Sequence, residues 1–168
     1  MNTTVTLEQV HALYHQLTEY LIANKLSIST MESCTSGFLA SLLTDTEGAS
    51  AILSGSLITY SNEAKQKFGV PETTISEFGV YSKETARAMA EQVGQMFSST
   101  ISIGITGTFG NTDPNNNDSV PGEVYYAIKY KEHILVSHMT LSDLPTRFDY
   151  KLAAANKVGT ELLELLRS

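Results

Sequence analysis

Apolar residues recur every three or four positions in four segments of the chain, and this spacing is typical of amphipathic helices. The first predicted helix covers residues 6–24, and the second begins at Phe38 after a polar turn. The third is predicted over residues 82–97, with Ser82 as its N-cap, and the last over residues 146–166. The side chains predicted to face the core are Ala86, Met89, Ala90, Val93 and Phe97 on the third helix, and Phe148, Leu152, Ala155, Val158, Leu162 and Leu165 on the last.

Short apolar or alternating segments between these helices predict five strands. The strands are residues 26–30, 52–59, 101–106, 123–130 and 134–141. The last two form a hairpin around Lys131, Glu132 and His133. The predicted order, α-β-α-β-α-β-β-β-α, indicates a mixed sheet with helices on both faces. We therefore predict an α/β fold, a three-layer α/β/α sandwich that forms a single domain over residues 1–168.

Two polar segments are predicted to connect these elements. Residues 71–79 are interpreted as a connector with a short turn, and residues 111–119 (NTDPNNNDS) are too polar and turn-rich to be anything but a loop. Ligands of α/β folds usually bind at strand ends, where such loops gather.

Composition and charge narrow the possible partners. The net charge is −7 and the eleven basic residues are scattered, so neither nucleic acid nor an anionic membrane is an expected partner. The single cysteine, Cys34, excludes an intrachain disulfide and suits a reducing compartment. The N-terminus has no basic region before an apolar core, and no apolar run approaches the roughly 18 residues of a membrane span. We expect a cytoplasmic protein.

The segment from Glu47 to Lys67 brings three chemically useful side chains close together in sequence. A tight turn carries Ser50, a polar corner after the apolar strand carries Tyr60, and a short helical turn carries Lys65. These groups can form an amide-cleaving centre without a metal, because a desolvated amine with a lowered pKa can accept the serine proton. The same residues are common at strand ends and turns, so the spacing alone leaves a purely structural role open.

The segment MESCTSG, residues 31–37, places small hydroxyl residues between a predicted strand and a predicted helix. Free N–H groups in the first turn of that helix could bind an anion. Alternatively, Ser33 or Thr35 is a plain N-cap. Both interpretations remain open.

Three other patterns favour simple interpretations. Residues 104–110 (GITGTFG) resemble a dinucleotide fingerprint, but an Asn-rich loop follows the glycines where that motif needs a helix. His11 and His15 have a spacing that can chelate a metal, yet no nearby ligand completes a set, so they are predicted to face solvent. Cys34 is predicted to be a small packed residue.

Six motifs, in this order, resemble the C-terminal domain of the competence/damage-inducible protein CinA. They are MESCTSG at 31–37, LLTDTEGAS at 42–50, ITYSNEAK at 58–65, FGVYSKETARAMA at 78–90, ITG at 105–107 and VPGEVYYA at 120–127. The family includes stand-alone nicotinamide-nucleotide amidohydrolases. The order of the motifs is far more specific than any one of them.

The resemblance implies an α/β/α fold, self-association into a homo-oligomer, and hydrolysis of nicotinamide mononucleotide to nicotinate mononucleotide and ammonia. It assigns Ser50 to the nucleophile, Tyr60 to an assisting phenol and Lys65 to the general base. It implies a pyridine nucleotide as the small-molecule partner, with no metal and no other cofactor. The residues it places in the substrate pocket are Ser33, Thr35, Gly37, Thr106, Gly107 and Arg147.

The chain also departs from the family pattern near the predicted pocket. Ser36 replaces a glycine, Phe109 and Asn111 replace a small residue and a proline, and Lys151 replaces a second arginine after Arg147. Because the predicted catalytic residues are kept while these positions change, a second function stays open. This alternative is a diverged, catalytically inactive CinA-like paralogue that acts as a binding or interaction protein.

Overall fold

Five strands form one mixed sheet in the computed structural model, which describes residues 4–168. The strands are β1 (Ile28–Glu32), β2 (Leu53–Ile58), β3 (Ile101–Gly107), β4 (Glu123–Tyr130) and β5 (His133–Thr140). The helices are α1 (Leu7–Ala23), α2 (Phe38–Thr44), α3 (Asn62–Lys67), α4 (Glu72–Phe78), α5 (Lys83–Phe97) and α6 (Arg147–Arg167), and a 3₁₀ turn covers Ala49–Ala51. The predicted single domain begins at residue 1, and its first three residues lie outside the described range.

The strand order in the sheet is β2-β1-β3-β4-β5. Strand β1 is parallel to both β2 and β3, whereas β4 and β5 form an antiparallel extension. The C-terminal ends of β1, β2 and β3 therefore meet along one edge, here called the carboxyl edge, and their N-terminal ends meet along the opposite amino edge. Ligands of open α/β sheets bind outside the carboxyl ends of the strands.

Helices cover both faces of this sheet. α1, α2 and α6 contact one another on one face, while α5 packs across all five strands on the other, with α4 beside it. Gly104 in β3 allows α5 to come this close, because a Cβ atom at that position would lie 2.3 Å from the carbonyl oxygen of Ala86. The predicted α/β/α arrangement is confirmed. Within residues 4–168, no helix has the length and apolar content needed to cross a membrane.

Side-chain caps fix where the three long helices begin. The Thr6 hydroxyl accepts a hydrogen bond from the Gln9 N–H, and the Gln9 side chain accepts one from the Thr6 N–H. Ser82 caps α5, and Thr146 forms a second capping box with Asp149 at the start of α6. The predicted bounds of these helices are therefore confirmed to within one residue at each end.

Strand β1 begins and ends two residues later than predicted. The Leu26 N–H donates to the carbonyl oxygen of Leu21 at 2.9 Å and Lys25 has a φ of 54°, so the chain turns before it enters the sheet. At its other end the strand continues through Glu32, whose buried carboxylate accepts hydrogen bonds inside the protein and need not reach water.

The connector predicted over residues 71–79 is mostly helical. Pro71 is the N-cap of α4, and Gly79, with a φ of 85°, ends this helix. The hairpin turn is also shorter than predicted, because His133 is already the first residue of β5.

Phe148 does not face the core as predicted. It is 46% exposed and packs edge-to-face on Phe38, with the ring centroids 5.7 Å apart. Tyr150, which was not predicted to face the core, is buried in this part of α6 instead, beside the predicted Leu152.

Candidate active site

A cavity of about 840 Å³ opens at the carboxyl edge of the sheet. Its walls come from the turn after β1, the start of α3, the loop after β3 and the first residue of α6; they include Ser33, Tyr60, Tyr81, Gly107, Asp113 and Arg147. Small-molecule sites typically span roughly 300–1,000 Å³, so this cavity can hold a ligand of that class.

Lys65 is a buried amine behind Ser33, which lines this cavity. Helix α3 is capped by Ser61, whose hydroxyl accepts a hydrogen bond from the Ala64 N–H at 3.1 Å, and this cap fixes the turn that carries Lys65. The lysine is 1% exposed. Its Nζ donates to the carbonyl oxygen of Thr59 at 2.7 Å and to Ser33 Oγ at 3.0 Å.

The electrostatics of Lys65 suit a proton acceptor. Burial lowers the pKa of Lys65 from 10.5 to about 8, because the ammonium loses its hydration, while Cys34 and Asp113 raise it by smaller amounts. Near pH 8 a large share of this amine is neutral. A neutral amine within hydrogen-bond distance of a hydroxyl can act as its general base.

Ser33 meets Lys65 because two neighbouring parallel strands end at the same edge. Ser33 directly follows β1, and Lys65 lies in the helix after β2. The Ser33 N–H donates to the carbonyl oxygen of Ile105 in β3 at 3.0 Å, which holds its backbone in place. Since its side chain lines the cavity, the hydroxyl can reach both the amine and a bound ligand. This is the arrangement of an activated serine nucleophile.

A buried carboxylate supports the turn that carries Ser33. Glu32 is fully buried, and its two oxygens accept four hydrogen bonds of 2.7 to 3.1 Å. The donors are the hydroxyls of Thr30 and Thr35 and the N–H groups of Leu39 and Ala40. These bonds offset the cost of burying the charge and tie the end of β1 to α2.

Both interpretations of the junction before α2 are therefore wrong. Glu32 already occupies N–H groups in the first turn of the helix, so no anion site is left there. The N-cap is Gly37, with a φ of 92°, and no side chain caps the helix. Thr35 supports Glu32 instead, and neither Thr35 nor Gly37 is among the residues that line the cavity.

Ser50 lies at the amino edge, away from the cavity. It belongs to the 3₁₀ turn before β2, whereas Tyr60 and Lys65 follow that strand. The six residues of β2 separate them, and a strand of that length spans roughly 20 Å. Ser50 is also exposed. The predicted convergence of Ser50 with Lys65 is corrected here, since the hydroxyl that reaches the amine belongs to Ser33.

Three further predicted residues lie around the same edge. Tyr60 lines the cavity but is 62% exposed, so its phenol is at the mouth. Gly107 lines the wall at the end of β3, where a side chain would collide with the backbone of β4. Thr106 does not line the cavity, and its buried hydroxyl donates to the carbonyl oxygen of Val80 at 3.1 Å.

Arg147 supplies a cation to the rim of the cavity. Its guanidinium carbon lies 5.5 Å from the centroid of the Phe109 ring. Phe109 is itself buried against Tyr150, so the larger side chain at this position does not close the cavity. Lys151 in the next turn donates a hydrogen bond to Ser36 Oγ at 2.9 Å, so these two departures from the family pattern contact each other.

Residues 111–119 form a loop, as predicted, and its hydrogen bonds hold it against the cavity. The Tyr81 hydroxyl donates to Asp113 at 2.6 Å, and the Asn62 side chain donates to Asn116 at 2.8 Å. Neither Asp113 nor Tyr81 was predicted in the site. Asp113 is a carboxylate in an Asn-rich turn, which no periodic pattern or motif distinguishes, whereas Tyr81 lies in the motif FGVYSKETARAMA without a role assigned to it.

Cys34 lies beside Ser33 but is not a reactive thiol in this structure. Burial raises the pKa of Cys34 to about 12, and the negative charge of Glu32 adds to this effect while Lys65 opposes it. The thiol is therefore protonated at neutral pH, in agreement with the predicted small packed residue.

The two histidines of α1 pair with single acidic residues. His11 lies 3.1 Å from Asp45 and His15 lies 3.3 Å from Glu19, and both histidine side chains are about half exposed. In the part of the chain that the structure describes, no group of three or more His, Cys, Asp or Glu side chains is arranged to hold a metal ion.

The structure thus describes an α/β/α protein in which a serine at the carboxyl edge of the sheet lines a cavity and contacts a buried lysine. The family model described as the CinA C-terminal domain matches residues 10–166. The chain belongs to this family. A competence-damage inducible protein from Clostridium novyi is 38% identical over 138 residues, which is 82% of this chain and 32% of that relative. This chain spans about 30% of the length of the curated relatives that it matches first.

Solved structures agree with this assignment. The competence/damage inducible protein CihA from Agrobacterium tumefaciens has a TM-score of 0.85 and 28% identity, covering 93% of this chain and 94% of its own. A CinA superfamily protein from Escherichia coli has a TM-score of 0.85 and 26% identity, covering 98% and 96%. Each of these two matches covers more than nine tenths of both chains, so the similarity includes both layers of helices and the whole sheet.

Proposed function

We propose that this protein is an amidohydrolase that converts the carboxamide of nicotinamide mononucleotide to nicotinate mononucleotide and ammonia. The observation that carries the proposal is the contact of 3.0 Å between the buried Lys65 Nζ and the Oγ of Ser33, a residue that lines an open cavity. Membership of the CinA C-terminal domain family supports the same reaction class.

The first half of the reaction forms an acyl-enzyme. The carbonyl oxygen of Thr59 holds one N–H of the neutral Lys65 amine, which leaves its lone pair for the Ser33 hydroxyl. Ser33 Oγ attacks the carboxamide carbon as Lys65 takes its proton. The resulting ammonium lies beside the developing oxyanion and stabilises it electrostatically. Lys65 then returns this proton to the leaving nitrogen, and ammonia departs.

The second half regenerates the enzyme. A water molecule attacks the Ser33 ester and gives one proton to Lys65. When the ester bond breaks, Lys65 transfers that proton to Ser33 Oγ, and the product leaves as a carboxylate with one proton released to solvent. The sum is one amide and one water converted to one carboxylic acid and one ammonia. Tyr60 lines the mouth of the cavity, where its phenol can contact the substrate.

Arg147 is the group we assign to the substrate phosphate. It lines the cavity, and a guanidinium can bind a phosphate through two parallel hydrogen bonds. The start of α6 is a poorer candidate, because Thr146 and Asp149 already form a capping box there.

Ammonia release from nicotinamide mononucleotide tests the proposal. We expect the unsubstituted chain to release ammonia between about pH 6 and 9, and Ser33→Ala and Lys65→Met each to reduce the rate by about a thousandfold or more. Ser50→Ala is the matched control, since this serine is exposed at the amino edge, and it should keep full activity. Full activity in Ser33→Ala, or a loss in Ser50→Ala, would contradict the assignment.

The alternative function, an inactive paralogue that binds a ligand or a partner, has one observation in its favour. Lys151 donates a hydrogen bond to Ser36 Oγ and is not among the residues that line the cavity, so it does not provide the second cation that the family pattern has there. Thermal unfolding with pyridine nucleotides separates the two functions. A ligand at 100 times its Kd stabilises the folded state by about 2.7 kcal/mol. Stabilisation without ammonia release would support the paralogue.

A further inference from the structure

Asp113 is a cavity-lining carboxylate held in place by neutral groups. Its Oδ2 accepts hydrogen bonds of 2.6 Å from the Tyr81 hydroxyl and from the Asn116 side chain, and its Oδ1 accepts one of 2.9 Å from the Asn115 N–H. Burial raises the pKa of Asp113, but these hydrogen bonds outweigh it and bring the pKa below the ordinary value. The side chain is therefore ionised at neutral pH.

This negative charge lines the same cavity as Ser33. Asp113 and Lys65 are close enough for each charge to shift the pKa of the other. In the form of the site that carries out the reaction, however, Lys65 is neutral. Asp113 then has no cationic side chain within 4.0 Å among residues 4–168. A carboxylate in a partly closed cavity, satisfied only by neutral donors, favours a positively charged ligand group.

The remaining walls of the cavity fit the same kind of ligand. The aromatic side chains Tyr60 and Tyr81 line it, and aromatic faces attract cations. Arg147 lies on the rim that α6 contributes, whereas Asp113 lies on the loop after β3. The cavity thus has a negative group on one wall and a positive group on another, which matches a ligand that carries both charges.

We propose that Asp113 determines specificity by selecting carboxamides carried on a positively charged N-alkylpyridinium ring over carboxamides on a neutral ring. The inference rests on the proposed function, because it assumes that the carboxamide carbon lies at Ser33. In a nicotinamide ring the cationic nitrogen is three bonds from that carbon, so it lies inside the cavity that Ser33 and Asp113 both line. A neutral ring gains nothing there and leaves the carboxylate partly desolvated.

Nicotinamide mononucleotide and its reduced dihydro form test this selectivity, because they share the phosphate and the carboxamide and differ in ring charge. Dissociation constants are measured by titration calorimetry above pH 8, in a Ser33→Ala background that prevents turnover. We expect the cationic form to bind at least about tenfold more tightly, and Asp113→Asn to reduce this ratio about tenfold. An unchanged ratio in Asp113→Asn overturns the proposal.

Two further variants separate charge from loop position. Asp113→Glu restores the charge and should restore most of the ratio. Tyr81→Phe keeps the charge but removes a hydrogen bond that holds the loop, so it should weaken both ligands alike and leave the ratio unchanged. A ratio that falls in Tyr81→Phe as far as in Asp113→Asn overturns the proposal, because the position of the loop would then be responsible.

The proposed function and this inference fail in different ways. If the proposed function is wrong, the unsubstituted chain releases no ammonia from nicotinamide mononucleotide, although the cationic ligand is still preferred over the reduced one. If this inference is wrong, ammonia is released but ring charge has no effect on binding. If neither ligand binds, both are wrong.

Discussion

Lys65 combines a buried position with the role of a base in the proposed reaction, and this combination determines the pH dependence that we expect for that reaction. Burial lowers the pKa of Lys65 to about 8, so below that pH most of the amine is protonated and cannot accept the Ser33 proton. We expect kcat/KM for nicotinamide mononucleotide to rise about tenfold per pH unit below pH 8 and to level off above it. Initial rates of ammonia release across this range test the expectation, and a profile that is flat through pH 8 would contradict it.

The same burial makes Lys65 costly for stability. In the unfolded chain its pKa is 10.5, and in the folded chain it is about 8, so the folded state carries the full penalty below pH 8 and loses it as the pH rises to 10.5. Lys65→Met removes a charge that titrates. The free energy of unfolding of Lys65→Met relative to that of the unsubstituted chain should therefore be highest below pH 8. This difference should decrease by about 3 kcal/mol as the pH rises towards 10.5.

Urea unfolding at several pH values measures this difference. Lys67→Met is the matched control, because Lys67 lies in the same helix α3 but is exposed, and its effect on stability should not change with pH. A difference between Lys65→Met and the unsubstituted chain that stays constant from pH 7 to pH 10 would mean that the amine is not desolvated as the structure indicates.

At the scale of elements, the Glu32 carboxylate connects β1 to α2. Each of its two oxygens accepts hydrogen bonds from two donors. One donor of each oxygen is a backbone N–H group, which cannot rotate to find another acceptor. In Glu32→Gln one oxygen becomes an NH₂ group, so at least one backbone N–H loses its acceptor. We expect a loss of about 1–3 kcal/mol in the free energy of unfolding.

Urea unfolding of Glu32→Gln beside Glu77→Gln tests this prediction. Glu77 is exposed on α4, so its substitution should change stability by no more than about 0.5 kcal/mol. Equal effects of the two substitutions would show that the buried carboxylate does not support the junction.

The elements also explain which parts of the site the sequence could predict. Periodicity and capping residues located the long helices and the hairpin strands, because those signals are local. The predicted proximity of Tyr60 and Lys65 is also local, since both follow β2 directly. Ser50 is only ten positions before Tyr60 in sequence, but strand β2 lies between them and holds its two ends apart, so Ser50 lies at the other edge. Ser33 meets Lys65 only through the pairing of β1 with β2, which no local pattern encodes.

At the scale of the whole molecule, the outer helix α5 is docked on the sheet through Gly104. A Cβ atom there would lie 2.3 Å from the carbonyl oxygen of Ala86 and 2.5 Å from the backbone nitrogen of Ala90, and neither atom can move without shifting the helix. Gly104→Ala should therefore push α5 away from all five strands it covers. We expect a loss of about 1–3 kcal/mol or more in the free energy of unfolding, as for other overpacked cores.

Gly110→Ala is the matched control for Gly104→Ala. Its new methyl group would lie 3.7 Å from the nearest atom of Tyr150, an ordinary contact, so its effect on unfolding should be small. Because α5 covers the face of the sheet opposite α1, α2 and α6, its displacement should weaken the fold as one unit and lower the midpoint of a single urea transition. A Gly104→Ala variant as stable as Gly110→Ala would mean that α5 does not approach β3 as closely as described.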